Sequence, residues 1–220
     1  MFNETLVILQ RELWKAFAQT FVMMGISFVL SLILGLALGF VLYLTETPAF
    51  YPKKSLNAVA AAIVNFIRSI PFIILVVFTL PFTFWLVGTK IGPIAASVPM
   101  TISATVFLAR LVESSLKETD PGVIEAALAS GARPWLIIRK VLLVEAAPSI
   151  ARAVTVVFIN LIGASAMAGM VGGGGIGNLA VQYGYYRYET GVMLFTIVVL
   201  VIVVQLSQYL GDKVAKHLSH

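Results

Sequence analysis

Residues 172–177, Gly-Gly-Gly-Gly-Ile-Gly, satisfy the spacing G-x-G-x-x-G with which a tight strand-to-helix turn cradles a pyrophosphate. That chemistry needs a βαβ unit, and here the run follows a long apolar segment that reads as a helix. A tightly turned glycine loop that re-enters or caps a pore is expected instead, because glycine permits positive φ and close backbone approach. The phosphate-cradling spacing G-x-x-x-x-G-K-[ST] occurs nowhere in the chain. Glu113, Glu145 and Asp212 are not arranged with any nucleophile and base. The absence of Cys removes disulfides, thiolate metal ligands and a thiolate nucleophile. His217 and His220 lie at the C-terminal end and read as a solvated tail or a purification-tag remnant, not a metal site. No catalytic, cofactor-binding or metal-ligating residue is therefore assigned.

Composition explains why chemistry is so sparse. Hydrophobic residues make up 60% and charged residues 11% of the 220 positions, with a mean hydropathy of +0.98. In a soluble domain about a quarter of residues are charged. An all-α polytopic membrane protein is expected, in one domain over residues 1–220 with five spans of roughly 20 residues or more. These fall at about 17–44, 56–80, 91–111, 150–171 and 191–210. Gly25, Gly35 and Gly39 give the first span small positions where another helix can approach. The second is expected to kink near Pro71. The first apolar run is too long for a signal-peptide core and lacks a cleavage site, so it is expected to stay in the mature chain. The formal charge of +5 reads as topology, not as nucleic-acid binding, because the basic residues flank apolar segments. With the N-terminus outside, Lys53, Lys54, Arg110, Lys117, Arg133, Arg139, Lys140, Arg152, Lys213 and Lys216 lie inside. Only Arg11, Lys15, Lys90 and Arg187 then lie outside. The C-terminus is accordingly expected in the cytoplasm.

Of the 15 basic and 10 acidic residues, ten fall between Arg110 and Ala147. Each would cost ~2.5–3.5 kcal/mol at the bilayer centre, so this segment cannot span. It still reads as helix. Asp120 is an N-cap with Pro121 at the first helical position, and Ile124, Ala127 and Leu128 fall on one face. Gly131 ends that helix and Pro134 opens a second, in which Trp135, Ile138 and Leu142 line up a turn apart. Small Ala residues at 126, 127 and 129 let another surface come close. Two readings stay open on these grounds: a helix pair lying on lipid headgroups with Trp and Arg as anchors, or a docking element.

Glu125-Ala126-Ala127, with Gly131 four residues on and Pro148 beyond an apolar stretch, resembles the EAA loop in the membrane subunits of type I binding-protein-dependent ABC importers. The likeness extends over most of the chain and is similar in detail to the methionine ABC transporter permeases. The stretches that carry it are Ile67-Arg68-Ser69-Ile70-Pro71, Arg139-Lys140-Val141-Leu142-Leu143, Ser165-Ala166-Met167-Ala168-Gly169 and Gln182-Tyr183-Gly184-Tyr185. Where that family has Leu-Pro-Glu-Ala, this chain has Leu143-Val144-Glu145-Ala146, which leaves the end of the second coupling helix undefined. The resemblance implies the type I membrane-domain fold in the bacterial inner membrane, with a coupling segment over about 118–145. There Glu125, Ala126, Ala127, Gly131, Ala132, Trp135 and Ile138 would meet a cytoplasmic ATPase subunit. It implies two ATPase copies holding ATP and Mg2+, a periplasmic or lipid-anchored binding protein, and surrounding membrane lipid. Two copies of this chain are expected, since five helices enclose a path poorly.

Path-lining candidates are Ser165, Met167, Met170 and Arg68. Met167 and Met170 read as filler on packing grounds; the resemblance implies that the Ser-Ala-Met stretch lies near the subunit interface, where Met167 would line or gate the path, with Met170 the next candidate. Arg68 faces a bundle interior or snorkels to the interface, and Asn160 is expected to bond to a neighbouring helix. Other expectations are an importer of another small amino acid or a methionine analogue, or an ATP-independent secondary transporter. The latter would show paired internal repeats with intramembrane carboxylates, which the sequence lacks.

Overall fold

The computed structural model describes residues 2–219, of which residues 2 and 3 are described by backbone alone; His220 lies outside. The order is α1 Phe2–Glu46, α2 Lys54–Arg68, α3 Phe72–Phe78, α4 Leu80–Val87, α5 Pro93–Lys117, α6 Pro121–Ala129, α7 Pro134–Ile137, α8 Leu143–Ala168, α9 Gly175–Leu179 and α10 Thr190–Leu218. Wider π-type turns cover Ile138–Leu142, Gly169–Gly173 and Ala180–Tyr185. No strand occurs among the described residues. Among the described residues, four helical stretches are long and apolar enough to cross a membrane, Glu4–Glu46, Pro93–Lys117, Pro134–Gly173 and Thr190–Leu218. A fifth span is counted if the bent pair Lys54–Arg68 and Phe72–Phe78 is taken as one.

α5 and α10 run on to Lys117 and Leu218, past the expected ends at 111 and 210, and three other departures have local causes. α1 begins at Phe2, well before Phe17, and its 45 residues extend about 68 Å at 1.5 Å each, against roughly 30 Å of bilayer hydrocarbon. Leu9, Leu13, Ala16 and Phe17, a helical stripe, pack with Ile176, Leu179 and Val192, which is why the polar residues between them do not end the helix. The helix expected over 56–80 is broken: α2 stops at Arg68, Ser69 still has a right-handed helical backbone, Pro71 disfavours helical geometry at Ile70, and Pro71 caps α3 with φ −55 and ψ 137. Lastly, α7 does not end before a separate fourth span. It runs through Ile138–Leu142 into α8 as one helical stretch, Pro134–Gly173, which also carries Pro148 in its interior without ending there.

Contacts gather in two compact units. The first holds Met1–Leu30, Ile70–Ala104 and Phe158–Ser207. Its core includes the cluster just named, and the Ser27 hydroxyl donates to the Ser97 carbonyl at 3.1 Å. The second holds Ser31–Ser69, Thr105–Val157 and Gln208–His220. Leu42, Val64, Val106 and Ala109 form one core there, with Leu38, Ala60, Ala61 and Ile67 against it. Gly35 and Gly39 face Leu108 and Val112 so closely that a Cβ would lie within 3.0 Å of them, whereas Gly25 has nothing within 4 Å. The small positions of α1 thus serve helix contact at two of the three sites expected.

Candidate functional site

The bend between α6 and α7 lies wholly in the second unit. Asp120 Oδ1 accepts from the Gly122 N–H at 2.8 Å, with Pro121 at the first position, so the start of α6 is capped as its sequence requires. The far end closes in a Schellman arrangement: the Ala132 N–H donates to Ala127 O at 3.1 Å and the Gly131 N–H to Leu128 O at 2.9 Å. Gly131 takes φ +79, a left-handed value that costs other L-residues energy. Pro134 then opens α7, whose first bonds run from Leu136 and Ile137 N–H groups back to Arg133 O.

What this bend presents is a mixed small and apolar face. Glu125, Ala126, Ala129 and Gly131 are exposed, Ala127 and Ala132 are half-buried, and Trp135 and Leu136 are 67% and 50% exposed. Arg133, Arg139 and Lys140 stand beside them, Arg139 and Lys140 at the start of the wide turn. Of the face expected to carry Ile124, Ala127 and Leu128, Ile124 is buried, Ala127 is half-buried and Leu128 is exposed. The expected alignment of Trp135 with Ile138 and Leu142 does not form. The wide turn over Ile138–Leu142 places Ile137, Ile138 and Leu142 in the interior, each at 5% exposure or less, with Trp135 outside. Ile138, expected on the docking surface, is therefore a packing residue. Leu136 takes the exposed apolar position that sequence reasoning missed. The period-3.6 pattern alone does not reveal a π turn, although the run Leu136-Ile137-Ile138 signals that one of the three must face outward.

The path-lining candidates separate similarly. Met167 and Met170, at the end of α8 and just beyond, are 38% and 52% exposed. Ser165 is buried, and its hydroxyl donates to the Ile162 carbonyl at 2.7 Å within its own helix, so it lines no open surface of the chain. Arg68 is the exposed last residue of α2. Asn160 is exposed, and no side-chain bond from it to another helix occurs among the described residues, so the expected interhelical bond is not made within one chain. Glu145 and Asp212 are exposed, the latter accepting from Gln208 Nε2 at 3.0 Å. His217 lies exposed in the last turn of α10.

The glycine-rich run makes a tight turn within the first unit, between the end of α8 and α9. Two of its donors are taken by α1: the Gly175 N–H donates to Gln19 Oε1 and the Ile176 N–H to Thr20 Oγ1, each at 2.9 Å. Side chains of α1 thus occupy the place a phosphate would take at a nucleotide fingerprint. Gly177 packs its backbone directly against Ala166 of α8. The run is a helix-packing turn.

Residues 31–220 match the family of binding-protein-dependent transport system inner membrane components, and the chain belongs to it. It is a multi-pass inner-membrane component of a transport system. Among its relatives is the probable D-methionine transport system permease protein MetI of Vibrio cholerae, 45% identical over 202 residues, which cover 92% of this chain and 90% of that protein. The methionine import system permease protein MetP of Bacillus subtilis is 44% identical over 201 residues, 91% of this chain and 90% of that one. A solved structure of inward-facing conformations of the MetNI methionine ABC transporter contains a chain that superposes with a TM-score of 0.90 at 43% identity, and 100% of both chains is covered. An amino acid ABC transporter crystallised with histidines shares the fold, at a TM-score of 0.80 and 16% identity over 96% of each chain.

Proposed function

We propose that this chain is the membrane-spanning subunit of an ATP-driven methionine importer, and that the α6–α7 bend is its coupling element. The observation that carries the reading is that bend: two proline-started helices locked at Gly131, presenting Glu125, Ala126, Ala129, Trp135 and Leu136 outward from a packed base. Relatedness to methionine permeases supports the substrate. ATP and Mg2+ act in a separate cytoplasmic ATPase, one copy beneath each of two copies of this chain. A binding protein delivers methionine at the outer face. No bond of the substrate is made or broken. ATP binding draws the two ATPases together, the coupling helices follow, and the path changes from inward-facing to outward-facing; hydrolysis resets it. This is a population shift between two arrangements, driven by contacts that differ between them.

The orientation follows from the basic residues, with the N-terminus outside and the α6–α7 bend in the cytoplasm. Cysteines introduced singly into this Cys-free chain at Lys90 and Arg187 should label with an impermeant maleimide from outside, and those at Lys54 and Lys213 only from inside. The opposite pattern would remove the bend from the ATPase side and end the coupling reading.

Met167, with Met170 next to it, is the proposed gate, formed where α8 of one copy meets that of the other. A thioether chain fills an irregular gap and yields readily. Met167→Cys should cross-link between copies in the resting state and less so when ATP is trapped without hydrolysis. Met167→Ala should raise leak without ATP while assembly is unchanged. Were position 167 silent to cross-linking in every nucleotide state and the Ala variant fully coupled, Met167 would be a packing residue.

A further inference from the structure

Glu113 of α5 is a carboxylate only 5% exposed, and it belongs to neither the coupling bend nor the gate. It accepts from Arg110 Nη1 at 2.6 Å and from Lys117 Nζ at 2.9 Å. Both cations reach further. Arg110 Nη2 donates to Asn65 Oδ1 at 2.8 Å and to the Ala61 carbonyl at 3.4 Å, both on α2. Lys117 Nζ lies 2.8 Å from the Glu46 carboxylate, on the last residue of α1. Residues 110, 113 and 117 stand one turn apart on α5, so a single row of charge crosses three helices of the second unit. Beneath it lie the apolar contacts of Leu42, Val64, Val106 and Ala109.

Only Glu118, Thr119 and Asp120 separate this row from the first residue of α6. That link is fixed along its length. The Ser149 hydroxyl of α8 donates to Glu118 Oε2 at 2.8 Å, Thr119 is buried, and Asp120 caps α6. A displacement of α6 therefore has no slack to take up before it reaches Lys117. Stability alone is a poor account of the row, since a buried ion network is often no better than apolar packing of the same volume. What it supplies is fixed geometry between three helices at the point where α6 attaches.

We infer that the row Glu46, Lys117, Glu113, Arg110 and Asn65 is a strut that makes α1 and α2 follow α6, with Glu113 and Lys117 as positioning residues for energy coupling. The inference rests on the reading of α6 as the helix that docks on the ATPase. A small set of charges that biases a two-state element changes coupling by roughly 2- to 30-fold.

The test uses the whole transporter in vesicles, this chain with its ATPase and binding protein, and reads ATP hydrolysed per methionine imported. Lys117→Met and Glu46→Gln alter the solvent side of the row, where the side chains are 46% and 49% exposed. Each should raise that ratio by about 3-fold or more, and Glu113→Gln by roughly 10-fold. Hydrolysis without transport should be unchanged in all three, and Lys117→Arg should restore the wild-type ratio. A change that merely weakened the fold would lower the amount of assembled complex and leave the ratio alone. The strut is overturned if Lys117→Met assembles and keeps the wild-type ratio, or if Lys117→Met fails to assemble, which would make the row a folding element. Glu125→Lys separates this from the underlying reading. If that variant releases the ATPase while Lys117→Met stays coupled, α6 docks but the strut fails; if it docks normally, the docking role of α6 fails first.

Discussion

Gly131→Val should cut coupled uptake by about tenfold or more while the chain still reaches the membrane and packs its spans. A Cβ at this position meets nothing within 4 Å, so no steric crowding is introduced. The effect comes from backbone alone: φ is +79, and a left-handed conformation costs an L-residue roughly 1–2 kcal/mol, more when it is β-branched. To relax, the substituted residue would have to leave that region, and the Schellman bonds made by the N–H groups at positions 131 and 132 would go with it. The exposed face of α6 would then turn away from that of α7. Because ~1.4 kcal/mol is a tenfold change in an equilibrium, uptake should fall by about tenfold or more with Val and less with Ala. Asn, which tolerates this region, should retain most activity. Uptake per assembled complex measures the order. Equal uptake by all three would show that the bend is not under conformational constraint.

Gly177→Val should have the opposite profile, with loss of the folded chain rather than loss of coupling. Its Cβ would run into the backbone of Ala166, and backbone cannot rotate aside as a side chain can. Overpacking costs ~1–3 kcal/mol or more when the neighbour cannot yield, and here the contact holds the end of α8 against α9. Thermal melting of the purified chain in detergent should show a clear decrease for Gly177→Ala and no recoverable protein for Gly177→Val. Gly163 is the internal comparison. It also lies on α8, but nothing stands within 4 Å of its Cβ position, so Gly163→Ala should be neutral or stabilising by up to ~1 kcal/mol. Equal destabilisation at 163 and 177 would contradict the packing described for the glycine turn.

The features legible in the sequence are those set by local chemistry. Asp120-Pro121, Gly131 and Pro134 each impose a conformation on their own backbone, and the structure places a cap, a left-handed residue and a helix start at those positions. The features that were not legible depend on partners distant in sequence. α1 continues through Glu4, Arg11, Glu12 and Lys15 because its other face meets Ile176, Leu179 and Val192. Averaged hydropathy hides that face, while the spacing of Leu9, Leu13 and Ala16 reveals it. The wide turn at 138–142 moves Ile138 inward and leaves Leu136 outside, and no residue type specifies such a turn. At Ser165 the hydroxyl finds its acceptor one turn back on its own helix, a choice invisible from composition. Pro71 reads as a kink within one helix, but the chain bends by 104° between α2 and α3, which makes it a break.

On the proposed function, this chain carries methionine only when driven through its α6–α7 bend. The direct measurement is uptake of radiolabelled methionine into vesicles reconstituted with this chain, its ATPase and its binding protein, with ATP supplied on the ATPase side. Accumulation against a gradient is expected that requires all three proteins and hydrolysable ATP, and that falls about tenfold or more with Gly131→Val while the ATPase still turns over. Accumulation that persists without the ATPase, or that is unchanged by Gly131→Val, would contradict it.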